Sequence, residues 1–337
     1  MHPSDCKSIA RFRAGVAAGL VAGLLPWAGM PAAQAQAQAF PARGITIVSP
    51  FAPGGPNDVI ARTMAAKLAE ALGVAVVVEN RGGAGATVGT GHVARAAPDG
   101  HVLLLGGPSS LAIAPHLYAK LSYDSLRDFA PITNIAATPY VVAVNPRVPA
   151  RTVGELVKVA RSKPQAVSFG SSGAGSVSHL GAEMLAAAAG AELVHVPYKG
   201  TVPSITGMVS GEVDMMIADL ALVDALARAG KLRLLAIASR NRSPAAPQVP
   251  TVIEAGFKDF VLEGRFGMLA PAGTPREVVM RLHAVLVAAV RSPDVRERFA
   301  QLGYEPATDT PEQYAAMIRT EHERFGRLIR QLKIGAQ

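Results

Sequence analysis

Short apolar strand patterns alternate with helix patterns along most of this chain, and at two places the strand runs into a glycine-rich turn that opens a helix. The first turn lies in residues 49–58 (SPFAPGGPND) and the second in residues 168–179 (SFGSSGAGSVSH). Strands that are each followed by a helix need crossover connections, which predict an α/β fold with mainly parallel sheets. Glycine lets a ligand approach the main chain, and the free N–H groups and dipole of the following helix attract an anion. The two turns therefore predict a ligand held from two sides.

The N-terminal residues have the pattern of an export signal. Lys7, Arg11 and Arg13 form a basic region, residues 14–25 an apolar region, and residues 33–39 (AQAQAQA) a small-residue cleavage zone. The apolar run is short and is interrupted by glycines, so we predict that residues 1–39 are a signal peptide. An uncleaved membrane anchor is the alternative. Cys6 precedes the apolar run, whereas the acylated cysteine of a lipoprotein would follow it, so no lipid anchor is predicted.

Cleavage of this signal removes Cys6, the single cysteine of the 337 residues. The mature protein then has no disulfide and depends on an ordinary hydrophobic core. The roughly 300 residues that remain are enough for two α/β lobes.

The charge distribution argues against nucleic acid as a partner. Loss of the signal lowers the formal net charge from +8 to +6, and the remaining basic residues are scattered among acids. Aromatic residues that could stack on bases are only 5% of the chain.

The histidines show no paired ligand spacing, so no metal site is predicted. Residues 83–89 follow G-x-G-x-x-x-G rather than the dinucleotide fingerprint, and no cofactor is predicted.

Two extended segments predict a two-lobed chain with a hinge. Residues 126–145 form a long extended stretch with spaced prolines, which we interpret as the crossing into a second lobe, and residues near 263–269 as the crossing back. The predicted first lobe is 40–141 plus 266–337, and the second is 142–265.

The predicted helices cover 56–72, 88–96, 153–161, 176–189, 203–209, 220–229, 275–291, 293–301 and 311–332, and the predicted strands cover 45–51, 74–79, 101–105, 167–169, 193–197, 213–218 and 232–239.

The first glycine-rich turn has the residues of a helix start. Gly55 can serve as N-cap and Pro56 as the first helical residue, and the Asp58 carboxylate can reach back to free N–H groups. Asp58 is then either a helix cap or a residue that orients a ligand-holding turn, and the two roles are compatible.

The second turn is richer in hydroxyl groups. Ser176 is the natural N-cap, and the hydroxyls beside it suit a carboxylate or phosphate. His179 lies in the first helical turn, where the dipole disfavours a protonated imidazole, so we expect it to be neutral. A secreted serine hydrolase with Ser176 as nucleophile and His179 as base is the alternative, although the G-x-S-x-G pattern is absent.

Polar residues also follow two later strands. Tyr198 and Lys199 come after the strand at 193–197, and Asp219 directly follows the strand at 213–218. Open α/β sheets bind ligands at these carboxyl ends. Asp219 could take a ligand ammonium or cap the next helix, and the cap is favoured here.

In this order, the motifs resemble the extracytoplasmic solute receptors of tripartite tricarboxylate transporters, the Bug family. The resemblance covers essentially the whole mature chain. The motifs are ITIVSPFAPGGPND (45–58), VENRGGAGA (78–86), APDG (97–100), GSSGAGSVSH (170–179), HVPYKG (195–200), GEVD (211–214), VPTVIEAG (249–256) and FGMLAPAGTP (266–275).

The resemblance implies a periplasmic, non-enzymatic, two-lobed (type II) Venus-flytrap receptor that closes on a small carboxylated solute. Membrane transporter subunits or a signalling protein are the implied partners, and a monomer is the default. A dicarboxylate, an aromatic carboxylate, an acidic amino acid or a nicotinate-like acid would each suit the shared carboxylate grip. The ligand-binding residues that it implies are Phe51, Gly54, Gly55, Asp58, Ser109, Ser110, Ser171, Gly173, Ser176, His179, Tyr198 and Asp219.

Arg265 departs from the family pattern, in which an aromatic residue commonly precedes the Phe-Gly pair. It is either a cationic partner for a distal acid group of the ligand or an exposed arginine of the hinge.

Overall fold

The computed structural model describes residues 40–258, 260–332 and 334. The predicted signal peptide lies outside these residues. Two sheets share one long strand, β4, which is Phe129–Val144. The first sheet has the order β2-β1-β3-β9-β4-β10, in which the other strands are β1 (Ile45–Ser49), β2 (Val76–Asn80), β3 (Val102–Gly106), β9 (Glu263–Pro271) and β10 (Glu305–Pro306).

The second sheet uses the other end of β4. Residues Tyr140 to Val144 pair with a strand on each side, which gives the order β8-β4-β7-β5-β6. The additional strands are β5 (Ser168–Ser171), β6 (Val194–Pro197), β7 (Met215–Asp219) and β8 (Arg233–Ile237).

The strand directions agree with the prediction of mainly parallel sheets, because four strands of each sheet run in the same direction. Pairing is parallel for β2-β1-β3 and for β7-β5-β6, where helices connect the strands. The crossing strands β4 and β9 run antiparallel to each other and to the neighbours β3, β7 and β8, because the chain enters one sheet and leaves the other through them. The two parallel groups place the carboxyl ends of β1, β3, β5 and β7 next to the site described below.

Most helices begin where capping residues occur in the sequence. The α-helices are α1 (Pro56–Leu72), α2 (Thr87–Ala94), α3 (Ala114–Leu117), α4 (Val153–Ser162), α5 (Val177–Ala189), α6 (Thr201–Ser210), α7 (Leu220–Arg228), α8 (Arg276–Arg291), α9 (Pro293–Gln301) and α10 (Pro311–Gln331). Between β3 and α3 the chain makes a π-helical turn, Ser109–Ile113, which the sequence patterns do not predict.

Separate apolar clusters fill the space between helices and sheets. One cluster joins β1, β3, α1 and α8 through Ile47, Leu103, Met64 and Leu282. Another joins β5, α5 and the second half of β4, and the end of α10 contributes Phe325 and Ile329 to it, together with Ile113 and Leu117. The last helix packs on both sheets, because its Tyr314 and Ile318 belong to a cluster with Leu104 of β3. Among the described residues, no helix is long and apolar enough to cross a bilayer.

Candidate functional site

A small cavity lies where helices from both sheets begin. Its volume in this structure is about 20 Å³. Four helices, α1, α5, α6 and α7, point their N-termini at it: Pro56, Val177 and Thr201 are the first residues of three of them, and Asp219 is the N-cap residue of the fourth. The full lining is Phe51, Pro56, Asn57, Gly107, Pro108, Ser109, Tyr140, Ser172, Val177, Thr201, Asp219 and Phe266. We call this space the central cavity.

The electrostatics of the central cavity come from the main chain, from neutral polar groups and from one carboxyl group, Asp219. No Lys, Arg or His is among the described residues that line it. The dipoles of the four helices whose N-termini border the cavity supply positive potential instead. Hydroxyl and amide groups of Ser109, Ser172, Thr201 and Asn57 can add directed hydrogen bonds. The helix starts and the hydroxyl groups suit an anion with several acceptor oxygens.

The first turn is held by an ion-paired carboxylate behind the cavity wall. Gly55 is the N-cap and Pro56 begins α1, as predicted. Asp58 accepts a hydrogen bond from the Gly54 N–H at 3.0 Å, and Arg62 Nη2 lies 2.9 Å from its carboxylate. Burial would raise the pKa of Asp58, but the hydrogen bonds from Arg62 and Gly54 outweigh it and hold the pKa below its usual value. Asp58 thus fixes the turn, as the capping prediction requires.

The second turn is held by a network of neutral groups. Ser176 is the N-cap of α5, as predicted, and its Oγ accepts from the His179 N–H at 3.3 Å. The Ser176 and Ser178 hydroxyls are 2.9 Å apart, and Ser178 Oγ accepts from the Ser172 N–H at 3.0 Å. Ser171 Oγ bonds to Nε2 of His195 at 2.7 Å. These contacts fix the backbone that presents Ser172 and Val177 to the central cavity.

The geometry of Ser176 and His179 does not favour a hydrolase. The Ser176 hydroxyl bonds to the backbone N–H of His179, and the imidazole Nδ1 of His179 accepts from the Gly175 N–H at 3.2 Å. Both side chains are buried, with exposed fractions of 0% and 4%. A nucleophile and its base need a direct hydrogen bond and access to substrate. The contacts found here are those of a helix cap.

His179 and His195 stack face to face below the second turn. Their ring centroids are 4.1 Å apart, and Phe169 stacks on His195 at 4.8 Å. Burial lowers the pKa of His179 to about 4, and burial together with the neighbouring His179 lowers the pKa of His195 to about 4. The prediction of a neutral His179 is confirmed, although burial rather than the helix dipole is the main cause. The part of His195 in this stack has no signal in the sequence.

Contacts across the site join the two halves. Ser109 Oγ accepts from the Val177 N–H at 3.2 Å, and Tyr118 Oη donates to the Ala174 carbonyl at 2.9 Å. A second, side cavity lies beside the central one and is lined by Phe51, Ala52, Gly82, Gly83, Ala84, Gly85, Ala86, Tyr118, Ser172, Gly173, Ala174, Tyr198, Lys199 and Gly200. The turns after β1, β2 and β5 therefore face one another in this structure.

The predicted ligand-binding residues occupy three kinds of position. Phe51, Ser109 and Asp219 line the central cavity, and Gly173 and Tyr198 line the side cavity. The remaining predicted residues lie behind these walls: Gly54, Gly55, Asp58, Ser110, Ser171, Ser176 and His179. The prediction did not include Asn57, Tyr140, Ser172, Thr201 or Phe266, which also line the central cavity. Thr201 follows Gly200 at a helix start, which is the one sequence signal that could have found it.

Asp219 corrects a prediction. It occupies the N-cap position of α7, but its side chain makes no capping hydrogen bond. The residue is 3% exposed, and Oδ1 has no hydrogen-bond partner within the described part of the chain. Burial raises the pKa of Asp219 to about 7. The favoured role as a cap is therefore wrong, because the carboxyl accepts no hydrogen bond from the N–H groups that begin α7.

Arg265 does not line the central cavity. Its guanidinium lies 2.9 Å from Glu263 and faces a separate cleft, which also contains Lys258, Arg324 and Tyr314. Arg265 thus lies on the crossing strand β9 and pairs with Glu263 outside the central cavity. Over the ranges 40–258 and 260–332, no three His, Cys, Asp or Glu residues come together as a metal site.

Comparisons with known proteins agree on one family. The sequence profile of the tripartite tricarboxylate transporter family receptor matches residues 60–334. Protein BugT of Bordetella pertussis is 36% identical over 301 residues, which is 89% of this chain and 92% of BugT. An R. palustris protein, Rpa4515, solved with adipate superimposes with a TM-score of 0.85 at 31% identity, covering 88% of this chain and 100% of that one.

A further structure, MatC from Rhodopseudomonas palustris with bound malate, has a TM-score of 0.81 at 34% identity. It covers 86% of this chain and 100% of its own. The two-lobed α/β architecture of periplasmic binding proteins is thus shared over nearly all described residues. The chain belongs to the receptor family of tripartite tricarboxylate transporters, which includes the Bug periplasmic solute-binding proteins.

Proposed function

We propose that this chain captures a small organic acid in the central cavity and presents it to the membrane subunits of a tripartite tricarboxylate-type transporter. The observation that carries the proposal is the convergence of four helix N-termini on one cavity without a cationic side chain. Backbone N–H groups, helped by Ser109, Ser172 and Thr201, bind the ligand carboxylate. The structures of two relatives with adipate and malate support a carboxylic acid as ligand.

The protein acts by binding and closure rather than by covalent chemistry. A ligand that contacts both the turn after β1 and the turn after β5 binds the closed form better than an open one and shifts the population toward it. The lobes of this motion are 40–141 plus 266–337 and 142–265, with β4 and β9 as the hinge. The C-terminal half of α10, which belongs to the first lobe, packs on the core of the second sheet in this structure. The protein works as a monomer in the periplasm, to which residues 1–39 direct it.

A thermal-shift screen tests this function. The panel contains succinate, malate, glutarate, adipate, benzoate, nicotinate, aspartate and glutamate. A ligand present at 100 times its Kd stabilises the folded protein by about 2.7 kcal/mol, so a true ligand raises the Tm in proportion to ln concentration. Failure of every acid in the panel to raise the Tm would contradict the proposed ligand class.

Variants distinguish the central cavity from other anion sites. Ser172→Ala removes a hydroxyl that lines the cavity, and we expect it to weaken the best acid about 10-fold, the loss of one hydrogen bond to a charged group. Ser162→Ala on the outer face of α4 is the matched control and should bind like the wild type. Hydrolysis of an ester panel that disappears in Ser176→Ala would instead support the hydrolase.

A further inference from the structure

Asp219 is the one carboxyl group inside the central cavity among the described residues. It ends β7 directly opposite Tyr140 of β4, and it is 3% exposed. Its Oδ1 has no hydrogen-bond partner in the ranges that the structure describes, and its side chain does not cap α7. A buried polar atom without a partner is costly, so its partner is expected to be supplied by something that enters the cavity.

Few titratable groups face this carboxyl. Tyr140 from β4 and Tyr304, which precedes β10, are close enough for Asp219 to raise their pKa values in addition to the effect of burial. Both tyrosines therefore stay neutral at physiological pH. No Lys, Arg or His of the described chain shares the cavity with Asp219. Burial raises its own pKa to about 7, so the protonated and ionised forms are of similar free energy near neutrality.

A bound carboxylate changes that balance. Two like charges within one small buried cavity repel, which favours the protonated form of the Asp219 carboxyl. A ligand ammonium could also remove the repulsion, but the N-termini of four helices give the cavity a positive potential that disfavours a cation. A proton on Asp219 removes the repulsion without bringing a cationic group into the cavity. It also converts the carboxyl group into a hydrogen-bond donor.

We propose that Asp219 is protonated in the complex and donates a hydrogen bond to the bound organic acid, so that capture takes up a proton. This inference rests on the proposed function and specifies the ligand class further, as an acid without a cationic group at the Asp219 end. It makes affinity dependent on pH: binding is strongest at acidic pH and weakens as the pH rises through neutrality, where ligand-free Asp219 loses its proton.

Calorimetry measures this proton directly. The purified protein is titrated with whichever acid of the panel binds most tightly, in two buffers with different ionisation enthalpies, between pH 6 and 8.5. We expect the wild type to take up about half a proton near pH 7 and close to one at pH 8.5. Over the same range the affinity should be level near pH 6 and then fall by up to about tenfold per pH unit.

The carboxamide variant isolates Asp219. Asp219→Asn retains the shape of the protonated carboxyl and can still donate, so it should bind at all these pH values with the affinity of the wild type at pH 6, within about tenfold, and take up no proton. Asp224→Asn is the matched control, because Asp224 lies in the same helix and pairs with Arg228 outside the cavity. It should show the proton uptake of the wild type.

The outcomes separate the two proposals. Tight binding without proton uptake by the wild type overturns the role of Asp219 and leaves the proposed function intact. A loss of more than 100-fold in Asp219→Asn at every pH, with normal folding, shows that an ionised carboxylate is required, as a ligand ammonium would need, and also overturns it. Absence of binding by every acid contradicts the proposed function and this inference with it.

Discussion

The turns after β1 and β5 face the same cavity but are held in place by different chemistry. In the turn after β1, the N-cap is Gly55, without a side chain to cap the helix, and the ion pair between Asp58 and Arg62 stabilises the loop. In the turn after β5, the N-cap is Ser176, and neutral hydroxyls and imidazoles form the supporting network. One wall of the site thus depends on charge, and the other on groups that must stay neutral.

This difference assigns each wall its own pH range. The pKa of Asp58 is lowered in the folded state, so its contribution is present above its usual value of 3.8 and is lost as the pH falls through the lower folded value. The pKa values of His179 and His195 are lowered from 6.5 to about 4 in the folded state. As the pH falls from 6.5 to 4, these histidines take up protons in the unfolded chain but not in the folded one, so the folded state loses stability. The second turn should therefore weaken first on acidification.

The largest expected effect comes from a residue at which the two halves touch. Gly85, in the loop after β2, has φ +62°, and a Cβ there would lie 2.4 Å from the Ala174 carbonyl oxygen of the second turn. Gly85→Ala forces the loops apart, and we expect the closed form to lose about 3 kcal/mol, which lowers affinity for the best acid roughly 100-fold. Isothermal titration measures this loss.

Gly83→Ala is the matched control for Gly85→Ala. Gly83 also has a positive φ, +136°, but a Cβ there would meet only Val88 of the same half. It should lower stability through backbone strain without the 100-fold loss of affinity. Equal losses of affinity in the two variants would show that loop strain, and not contact between the halves, limits binding.

How much of this site follows from sequence depends on how local the cause is. The bounds of α1 and α9 follow from Gly55, Pro56 and Pro293, because caps and first-turn prolines act within a few residues. The roles of Gly55, Asp58 and Ser176 in their turns are local in the same way. Resemblance to a family, rather than pattern, points to Ser109, which lies in a π-helical turn without a sequence signature.

Other features arise only from tertiary packing. The stack of His195 on His179 joins β6 to α5, and Asp219 is buried at the end of β7 beside Tyr140 of β4. Propensity and capping rules favour a carboxyl that bonds the helix start, and here tertiary burial overrides them. The same holds for Tyr140 and Phe266, which enter the cavity from the two crossing strands.

An intermediate effect is expected from the histidine stack. Between pH 6.5 and 4.5 the free energy of unfolding should fall by up to about 1.4 kcal/mol per pH unit for each histidine whose pKa is lowered. Urea unfolding at pH 7, 5.5 and 4.5 measures the slope. His195→Asn removes one member and should flatten it, whereas Asp58→Asn should leave it unchanged, since Asp58 titrates below this range.

The control for the stack is Asp58→Asn in the turn after β1, where the pKa of Asp58 is lowered from 3.8. Burial also lowers the pKa of His116, so this histidine contributes to the pH slope of the wild type as well. The test is therefore the difference in slope between each variant and the wild type. A slope in His195→Asn equal to that of the wild type would contradict the assignment of this pH range to the second turn.

The smallest effect compares the two N-caps themselves. Ser176→Ala removes the acceptor of the His179 N–H and should destabilise the protein by about 1 kcal/mol. Gly55→Ala removes no hydrogen bond, Gly55 has φ −78°, and the nearest atom to a new Cβ is 3.8 Å away, so stability should change by less than about 0.5 kcal/mol. Thermal unfolding of both variants without ligand measures these two changes in stability. If Gly55→Ala costs more than Ser176→Ala, the first turn is the more constrained of the two, and the contrast between a wall held by charge and a wall held by neutral groups fails at the helix starts.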